Sequence, residues 1–262
     1  MVGKSKDQPA KDDRTASPRS IADLFRDLPY RHFSPKHMII FQGDKIDRIY
    51  YIISGFVRMH NITPKGNERT IIILGPGESM PLIQTENALY FYDALTEVET
   101  AYGTYELIVE RFLKDKNYME VARQSNVWLM SRMVELMEVL SYDTALDKLE
   151  KALRFLAKYY GEGSDGFATI KFRLTHQELG NLVNLTRETV SHLLRKLVRK
   201  KVIKYNQAGL ILVMNEHEET KSENNQGVLK DKLKDAPLIR TAQSKPGAST
   251  QGALTPKQGF SI

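Results

Sequence analysis

The spacing of the apolar residues changes from a strand pattern to a helix pattern near residue 104. Between residues 33 and 105, short runs rich in Ile, Tyr, Val and Phe alternate with turn sequences such as Gly43-Asp44 and Pro64-Lys65-Gly66-Asn67. Runs of this length and composition predict an antiparallel β-sandwich or barrel. After residue 104 the apolar residues recur every three or four positions, which predicts helices. The chain therefore combines an all-β module with a helical one.

Three helices are predicted after the β-module, over residues 104–113, 118–141 and 143–160. Along the second helix, four apolar residues have the alternating spacing of a coiled-coil seam: Met130, Met133, Met137 and Leu140. Further apolar residues flank this seam, so we predict that the helix contacts its own β-module on one side and a second subunit on the other. The alternative is that the seam packs only on the β-module.

The charged residues are distributed unevenly along the chain. Residues 20–143 carry 13 Lys and Arg against 17 Asp and Glu, whereas residues 144–215 carry 13 against six. A compact basic segment after an acidic one indicates that the second part binds a polyanion.

Residues 169–213 are the most informative part of the basic segment. Thr175-His176-Gln177-Glu178 is a capping-box sequence that begins a short helix. Asn184-Leu185-Thr186 ends it, because Asn enters the left-handed region at low cost and Thr caps a following helix. Two short helices joined by a tight turn predict a helix-turn-helix, and two strands around Gln207-Ala208-Gly209 predict a small β-wing.

The second helix of this pair carries polar residues on the side opposite its apolar stripe. Arg187, Glu188, Ser191 and His192 lie near its N-terminus, where a reading helix enters the major groove. There Arg can bond guanine through two hydrogen bonds and Glu can accept from cytosine. Residues 187–204 contain seven Lys and Arg against one acid. We therefore predict direct base reading by this helix, with Lys196 and Lys200 on the phosphates.

The two helical motifs together are specific enough to compare with a family. Thr175-His176-Gln177-Glu178-Leu179-Gly180 and Thr186-Arg187-Glu188-Thr189-Val190 resemble the winged helix-turn-helix of the CRP/FNR superfamily of bacterial transcription factors. Tyr51-Ile52-Ile53-Ser54-Gly55 and Gly75-Pro76-Gly77-Glu78 resemble the β-roll of that family. The order of the modules matches the family over residues 20–215.

The resemblance implies an α+β fold: an N-terminal antiparallel β-roll of jelly-roll type, a long dimerisation helix and a C-terminal winged helix-turn-helix. We expect the β-roll sensor domain over residues 20–116, the dimerisation helix over 117–142 and the DNA-binding domain over 143–215. Residues 1–19 and 216–262 contain few large apolar side chains, so we expect a disordered arm and a disordered tail.

The resemblance also implies roles for individual residues. Arg187, Glu188 and His192 occupy the base-reading positions, although the family usually has Arg where this chain has His192, which leaves the half-site sequence open. The residues assigned to the DNA backbone are Thr175, His176, Gln177, Thr186, Thr189, Ser191, Arg195, Lys196 and Lys200.

The sensor region departs from the pattern of cyclic-nucleotide binders. After a Gly-Glu pair that we match to Gly77-Glu78, such proteins carry an Arg that holds the phosphate, but residues 70–110 of this chain contain seven acids and no Lys, Arg or His. A buried phosphate needs charge-assisted donors. We therefore predict that cyclic nucleotides do not bind. An apolar or cationic ligand against Tyr90, Phe91 and Tyr92 is one alternative, and a role of these aromatics as core residues is the other.

Several other chemistries are disfavoured. The absence of cysteine excludes disulfides and iron–sulfur clusters. The histidines of the β-module, His32, His37 and His60, are scattered, which disfavours both haem and an enzyme with a cupin-like metal site. We expect no cofactor and no enzymatic activity. No apolar run is long enough for a membrane span or a signal peptide, so we expect a cytoplasmic protein without a membrane partner.

The sequence thus predicts a homodimeric, sequence-specific transcription regulator that binds palindromic double-stranded DNA. RNA polymerase is a further candidate partner, and the effector ligand is left open. The alternative is a non-specific nucleic-acid-binding or interaction protein that uses the basic module and its flexible tails.

Overall fold

The computed structural model describes residues 20–83, 85–163 and 166–214. The predicted arm over residues 1–19 and the predicted tail over residues 216–262 lie outside the described residues. None of the helices within the described ranges is both long enough and apolar enough to cross a bilayer.

The N-terminal module contains a 3-10 helix, Ile21–Phe25, and two four-stranded antiparallel sheets. Their strands are β1 (Tyr30–Phe33), β2 (Met38–Ile40), β3 (Arg48–Ser54), β4 (Val57–Ile62), β5 (Glu68–Leu74), β6 (Ser79–Met80), β7 (Phe91–Ala94) and β8 (Val98–Thr104). One sheet has the order β1-β8-β3-β6 and the other β2-β7-β4-β5. The predicted antiparallel β-roll is confirmed.

The β-roll is closed by the packing of large apolar side chains between its sheets. Ile52, Met59, Ile72, Met80 and Tyr92 are all fully buried there. The predicted hairpin turn between β4 and β5 is present: the backbone N–H of Gly66 donates to the carbonyl of Thr63, and Gly66 has a φ of 77° that favours glycine.

The helical part follows in the predicted order. It comprises α1 (Tyr105–Lys114), α2 (Asn117–Ser141), α3 (Ala145–Tyr160), α4 (His176–Val183) and α5 (Arg187–Arg199). Four short strands form the third sheet, in the order β11-β12-β10-β9: β9 (Gly161–Glu162), β10 (Phe167–Ile170), β11 (Ile203–Tyr205) and β12 (Ile211–Met214). The wing is therefore formed by β11 and β12, as expected. Beyond β10, Phe172 turns inward and packs on Phe56 of the β-roll.

The DNA-binding module and the β-roll share one apolar core. Phe56 and Ile73 of the β-roll belong to the same cluster of buried residues as Leu153 of α3, Leu179 of α4 and Leu194 of α5. The two modules are therefore packed against each other.

Candidate DNA-binding interface and sensor region

The turn between α4 and α5 has the geometry that its sequence predicts. The Thr175 hydroxyl accepts from the backbone N–H of Glu178, and the Glu178 carboxylate accepts from the backbone N–H of Thr175 at 2.7 Å. Asn184 ends α4 with φ 57° and ψ 44°, in the left-handed region. A Cβ atom on Gly180 would lie 2.5 Å from the carbonyl oxygen of Leu185. Only glycine therefore allows this close approach of the turn to α4.

Helix α5 presents its polar side to solvent. The Thr186 hydroxyl caps the helix by accepting from the backbone N–H of Thr189 at 3.2 Å. Val190, Leu193, Leu194 and Leu197 are buried. The exposed side carries the predicted base-reading residues and the predicted basic phosphate contacts: Arg187, Glu188, His192, Arg195, Lys196 and Lys200. The predicted base-reading side chains are therefore exposed to solvent.

Residues assigned to the DNA backbone are held in place by internal hydrogen bonds. Nδ1 of His176 lies 2.6 Å from the Ser191 hydroxyl, which donates to the carbonyl of Arg187 at 2.9 Å. Because the Ser191 hydrogen is used within α5, the His176 Nδ1–H is the donor to Ser191 Oγ. The Ser191 hydroxyl thus links α4 and α5 across the turn.

A chain of hydrogen bonds joins the β-roll to α4. Arg58, which is buried, donates to Asp93 at 2.9 and 3.2 Å and to Glu68 at 2.8 Å. Glu68 accepts from Asn181 of α4 at 3.2 Å, and Asn181 accepts from Gln177 at 2.8 Å. One end of the chain is a buried carboxylate of the β-roll, and the other is a side chain assigned to the DNA backbone.

At one end of this chain, the negative charge of Asp93 is stabilised by Arg58. Burial by itself would raise the pKa of Asp93, but the close contact with His60 and the hydrogen bonds from Arg58 outweigh it and hold the pKa of this carboxyl below its usual range. His60 in turn stacks on Phe91, with ring centroids 5.3 Å apart.

A second buried arginine, Arg132 of α2, joins three elements. Its Nη1 donates to Glu78 at 2.9 Å, and its Nη2 donates to the carbonyl of Ile73 and to the hydroxyl of Tyr160 in α3. The ring of Trp128 covers the guanidinium at 4.3 Å. Within the described part of the chain, the buried Nε of Arg132 has no hydrogen-bond partner.

The carboxyl group at this second site, that of Glu78, is mostly shielded from water. Burial raises the pKa of Glu78, and the lowering effects of Arg132 and of the Gly75 backbone N–H only partly offset it. Burial also raises the pKa of Tyr160. Both carboxylate oxygens of Glu78 already accept hydrogen bonds, from Arg132 and from Gly75.

The aromatic residues Tyr90, Phe91 and Tyr92 differ in their burial. Tyr92 is a core residue whose hydroxyl accepts from the backbone N–H of Leu82 at 3.0 Å. Tyr90 and Phe91 are half-buried: Tyr90 packs against the core of the β-roll, and the ring of Phe91 stacks on that of His60. The core interpretation therefore fits Tyr92 best, and a ligand against these aromatics stays a prediction.

A cleft lies between the β-roll and α2, next to the Gly77-Glu78 pair that the sequence comparison matched to cyclic-nucleotide binders. It has a volume of about 830 Å³ and is bounded by the 3-10 helix, β3, β6, α1 and α2. Its other walls come from elements that are distant in the sequence, so sequence reasoning did not identify the α1 and α2 residues that line it. Glu78 and Trp128 form the part of the wall next to Arg132.

Helix α2 has a buried face and an exposed apolar face. Arg132, Leu136 and Val139 are buried. Four apolar side chains at alternating three- and four-residue spacing are between 54% and 69% exposed: Val127, Met130, Val134 and Met137. Met133 borders this stripe at 36% exposure, whereas Leu140 packs partly against the core of the DNA-binding module. Leu140 is thus half-buried within its own chain, and its place in a dimer seam stays a prediction.

Each of the three histidines of the β-module contacts another side chain of the β-roll. His32 lies 3.5 Å from Glu99, His37 packs on Phe33, and His60 contacts Asp93 at 3.0 Å. Across residues 20–83, 85–163 and 166–214, no group of three or more His, Asp or Glu side chains is arranged to hold a metal ion.

Comparison with known proteins gives the same picture for both modules. Residues 30–102 match the model of the cyclic nucleotide-binding domain, and residues 149–218 match that of the Crp-like helix-turn-helix domain. The chain is 26% identical over 200 residues to the global nitrogen regulator of Nostoc sp., covering 71% of this chain and 88% of that protein. It is 25% identical over 181 residues to the CRP-like cAMP-activated global transcriptional regulator of Mycobacterium tuberculosis, covering 66% and 79%.

The fold is also found among solved structures. FixK2 from Bradyrhizobium japonicum superposes with a TM-score of 0.60 at 17% identity, over 73% of this chain and 94% of that chain.

Proposed function

The chain belongs to the CRP/FNR family of DNA-binding transcriptional regulators, and from this premise we propose that it binds a two-fold symmetric DNA site as a homodimer. Members of the family bind DNA, usually as dimers. The finer assignments for this chain are the residues that read the bases, the surface that joins the subunits and the class of effector.

The observation that carries base reading is the exposed N-terminal end of α5. Arg187, Glu188 and His192 lie together on its solvent side, above a buried apolar stripe. The hydrogen bonds of the Thr186 cap and of the His176–Ser191 pair hold this end of the helix rigid. A preorganised helix end needs no rearrangement to enter the major groove. Contact with RNA polymerase at the promoter is also part of the proposal.

The exposed apolar stripe of α2 supports the dimer. Val127, Met130, Val134 and Met137 are large side chains in contact with water, and their spacing is that of a two-stranded coiled coil. A second copy of α2 would cover them. Exchange of Met130 and Met137 for Asp would place unpaired charges in that interface. We expect sedimentation of this double variant to report monomers, and a dimer would show that the subunits join elsewhere.

The β-roll supports an effector other than a cyclic nucleotide. Met59, Met80 and Tyr92 fill the space between its sheets. The buried guanidinium groups of Arg58 and Arg132 are already paired with carboxylates. Among the described residues, the interior of the roll has neither space for a cyclic nucleotide nor a free cation to bind its phosphate. Calorimetry with cyclic AMP and cyclic GMP should give no binding heat at micromolar concentrations.

Selection of binding sites from random DNA duplexes tests the proposal. The full chain should enrich a palindrome whose half-sites lie about one helical turn apart. Arg187→Ala should lower affinity by about 1–3 kcal/mol per half-site and relax the preference at one base position. Lys200→Ala is the matched control: it should weaken all sequences equally and reduce the salt dependence. Enrichment of no sequence would favour the non-specific nucleic-acid-binding alternative.

A further inference from the structure

We infer that Arg69, in the hairpin formed by β4 and β5, contacts a DNA phosphate beside the bases that α5 reads. This inference rests on the proposed function, because it adds one contact to the same DNA complex. All DNA contacts expected from the sequence lie between residues 175 and 200, so the β-roll was not expected to take part. A contact from Arg69 would extend the DNA-binding surface to the N-terminal module.

A polar cleft separates the β4–β5 hairpin from the start of α5, and it has a volume of about 560 Å³. Its lining comes from residues 66–69 of the hairpin, from Gln177 and Asn181 of α4, and from residues 184–188 of the turn and of α5. Most of these side chains are polar or charged. Such a lining suits water and ions better than an apolar ligand, because apolar groups leave buried polar atoms without hydrogen bonds.

The charges of the cleft favour an anion at its hairpin side. Arg69 donates one N–H to the carbonyl of Glu68 at 3.0 Å, and it has no ion-pair partner among the described residues. The Glu68 carboxylate is paired with Arg58 at 2.8 Å, so it does not compete for Arg69. Arg187, on the α5 side, is likewise without an ion pair in the described part of the chain. Arginine is well suited to phosphate, which it binds through two parallel hydrogen bonds.

The hairpin is fixed relative to the helix-turn-helix. Arg69 is opposite Asn61 in the β4–β5 ladder, so its backbone is part of the sheet. Next to it, Glu68 accepts from Asn181 of α4 at 3.2 Å, and α4 and α5 share one apolar core. Arg69 therefore keeps its place relative to α5 when that helix enters the DNA, and little ordering cost is added.

The location of the cleft brings a DNA strand to the hairpin. Thr186 and Arg187 line the cleft, and they also form the end of α5 that is proposed to enter the major groove. The groove is about 12 Å wide, so the strand that borders it on the hairpin side passes close to Arg69. Phosphate contacts carry no base information. Arg69 should therefore add affinity and fix the register of the protein without changing the preferred sequence.

The salt dependence of DNA affinity tests the contact. Arg69→Gln removes the charge and keeps a group that can bond the Glu68 carbonyl. In the full chain it should weaken all sequences about equally and reduce the slope of log affinity against log salt by about 1 per subunit. Arg69→Lys should keep the parent slope. Lys45→Gln, which removes a charge on the exposed surface outside the cleft, is the control and should leave the slope unchanged.

An added charge gives a second test that does not depend on the stability of Arg69→Gln. Asn67 is exposed and lines the cleft. Asn67→Lys should therefore raise the affinity for the selected duplex and steepen the salt slope. An unchanged slope in both Arg69→Gln and Asn67→Lys, or an equal loss of slope in Lys45→Gln, would overturn the contact.

Neutral phosphates locate the contact on the DNA. Methylphosphonates replace the phosphates of the selected duplex one at a time, and each removes one negative charge. With the parent protein, one position at the edge of each half-site should weaken binding when it is neutral, and the same position should have no effect with Arg69→Gln. Identical profiles for the two proteins would overturn the contact.

Failure of this inference and failure of the proposed function give different results. A parent protein that enriches a palindrome, together with an unchanged slope and profile for Arg69→Gln, would overturn the Arg69 contact and leave the proposed function standing. A parent protein that enriches no sequence would overturn both.

Discussion

Two buried arginines join the β-roll to the DNA-binding module, and they differ in how their charge is compensated. Arg58 bonds two carboxylates, those of Asp93 and Glu68, and the chain continues to Asn181 in α4. Arg132 bonds one carboxylate, that of Glu78, together with a carbonyl and a hydroxyl, and its Nε is unpartnered among the described residues.

The two sites therefore differ in how easily the arginine can change its position. A buried charge with full compensation occupies one geometry, because any movement leaves a group unpaired. A buried charge with partial compensation has less to lose when it moves. The Arg58 site therefore fixes α4 against the roll, whereas the Arg132 site, which borders the open cleft, is the place where the contact between modules can be altered.

The largest expected effect is that of Arg58→Met. The substitution leaves Asp93 buried without its main partner, and loss of one member of a buried pair costs about 3–5 kcal/mol. The free energy of unfolding in urea measures it. Lys65→Met, in the exposed turn between β4 and β5, is the control and should change stability by less than about 0.5 kcal/mol. A small effect of Arg58→Met would mean that the Arg58 site does not stabilise the fold.

Arg132→Met should cost less, about 1–3 kcal/mol, although Arg132 is the more deeply buried of the two. Burial already raises the pKa of Glu78, so Glu78 can take up a proton when its partner is removed, and Met fills much of the vacated space. The same urea titration measures the cost. A loss equal to that of Arg58→Met at neutral pH would remove the distinction between the two sites.

The two carboxylates should give pH trends of opposite sign. The pKa of Asp93 is lowered in the folded state, so its contribution to stability is present above the unfolded pKa and is lost as the pH falls through the folded value. The pKa of Glu78 is raised, so its contribution is present below the unfolded pKa and is lost as the pH rises through the folded value.

Stability measured on two amide variants tests these signs, below about pH 4 for Asp93, whose pKa is lowered, and between about pH 4 and pH 7 for Glu78, whose pKa is raised. As the pH rises, Asp93→Asn should become less stable relative to the parent protein, and Glu78→Gln should become more stable relative to it. Parallel trends would contradict the assigned directions.

The smallest effect is expected at the α4 end of the Arg58 chain. Asn181→Ala removes the link between Glu68 and Gln177, and the lost positioning should weaken DNA binding by about 0.5–1.5 kcal/mol. Because Asn181 is buried, we expect it to contact no phosphate, so the dependence of affinity on salt should stay unchanged. Gln42→Ala, on the exposed surface of the β-roll, is the control. A reduced salt slope for Asn181→Ala would show that this residue contacts the DNA itself.

Sequence reasoning succeeded where the determinants are local. The Thr175 capping box, the left-handed Asn184 and the Thr186 cap each depend on residues within a few positions, and all three are present. The arginine sites depend on distant partners: Arg58 and Asp93 are 35 residues apart, and Glu68 and Asn181 are 113 apart. The spacing of apolar and polar residues along the sequence does not reveal such pairs.

The same limit applies to residues grouped with their sequence neighbours. Tertiary packing places Tyr92 inside the roll, whereas Tyr90 is only half-buried, and it packs Leu140 partly against the core of the helical module. An aromatic cluster or a seven-residue repeat shows that side chains lie near one another. It does not show which surface covers them.

The shared core has a consequence for how the molecule unfolds. Phe56 and Ile73 of the β-roll are buried among residues of α3, α4 and α5, and Phe56 packs on Phe172 with ring centroids 4.5 Å apart. Neither module can melt without exposing apolar surface of the other, so thermal denaturation should be one cooperative transition instead of two. A DNA-binding module cut free at residue 143 would expose Phe172 and Tyr160 to water and should aggregate.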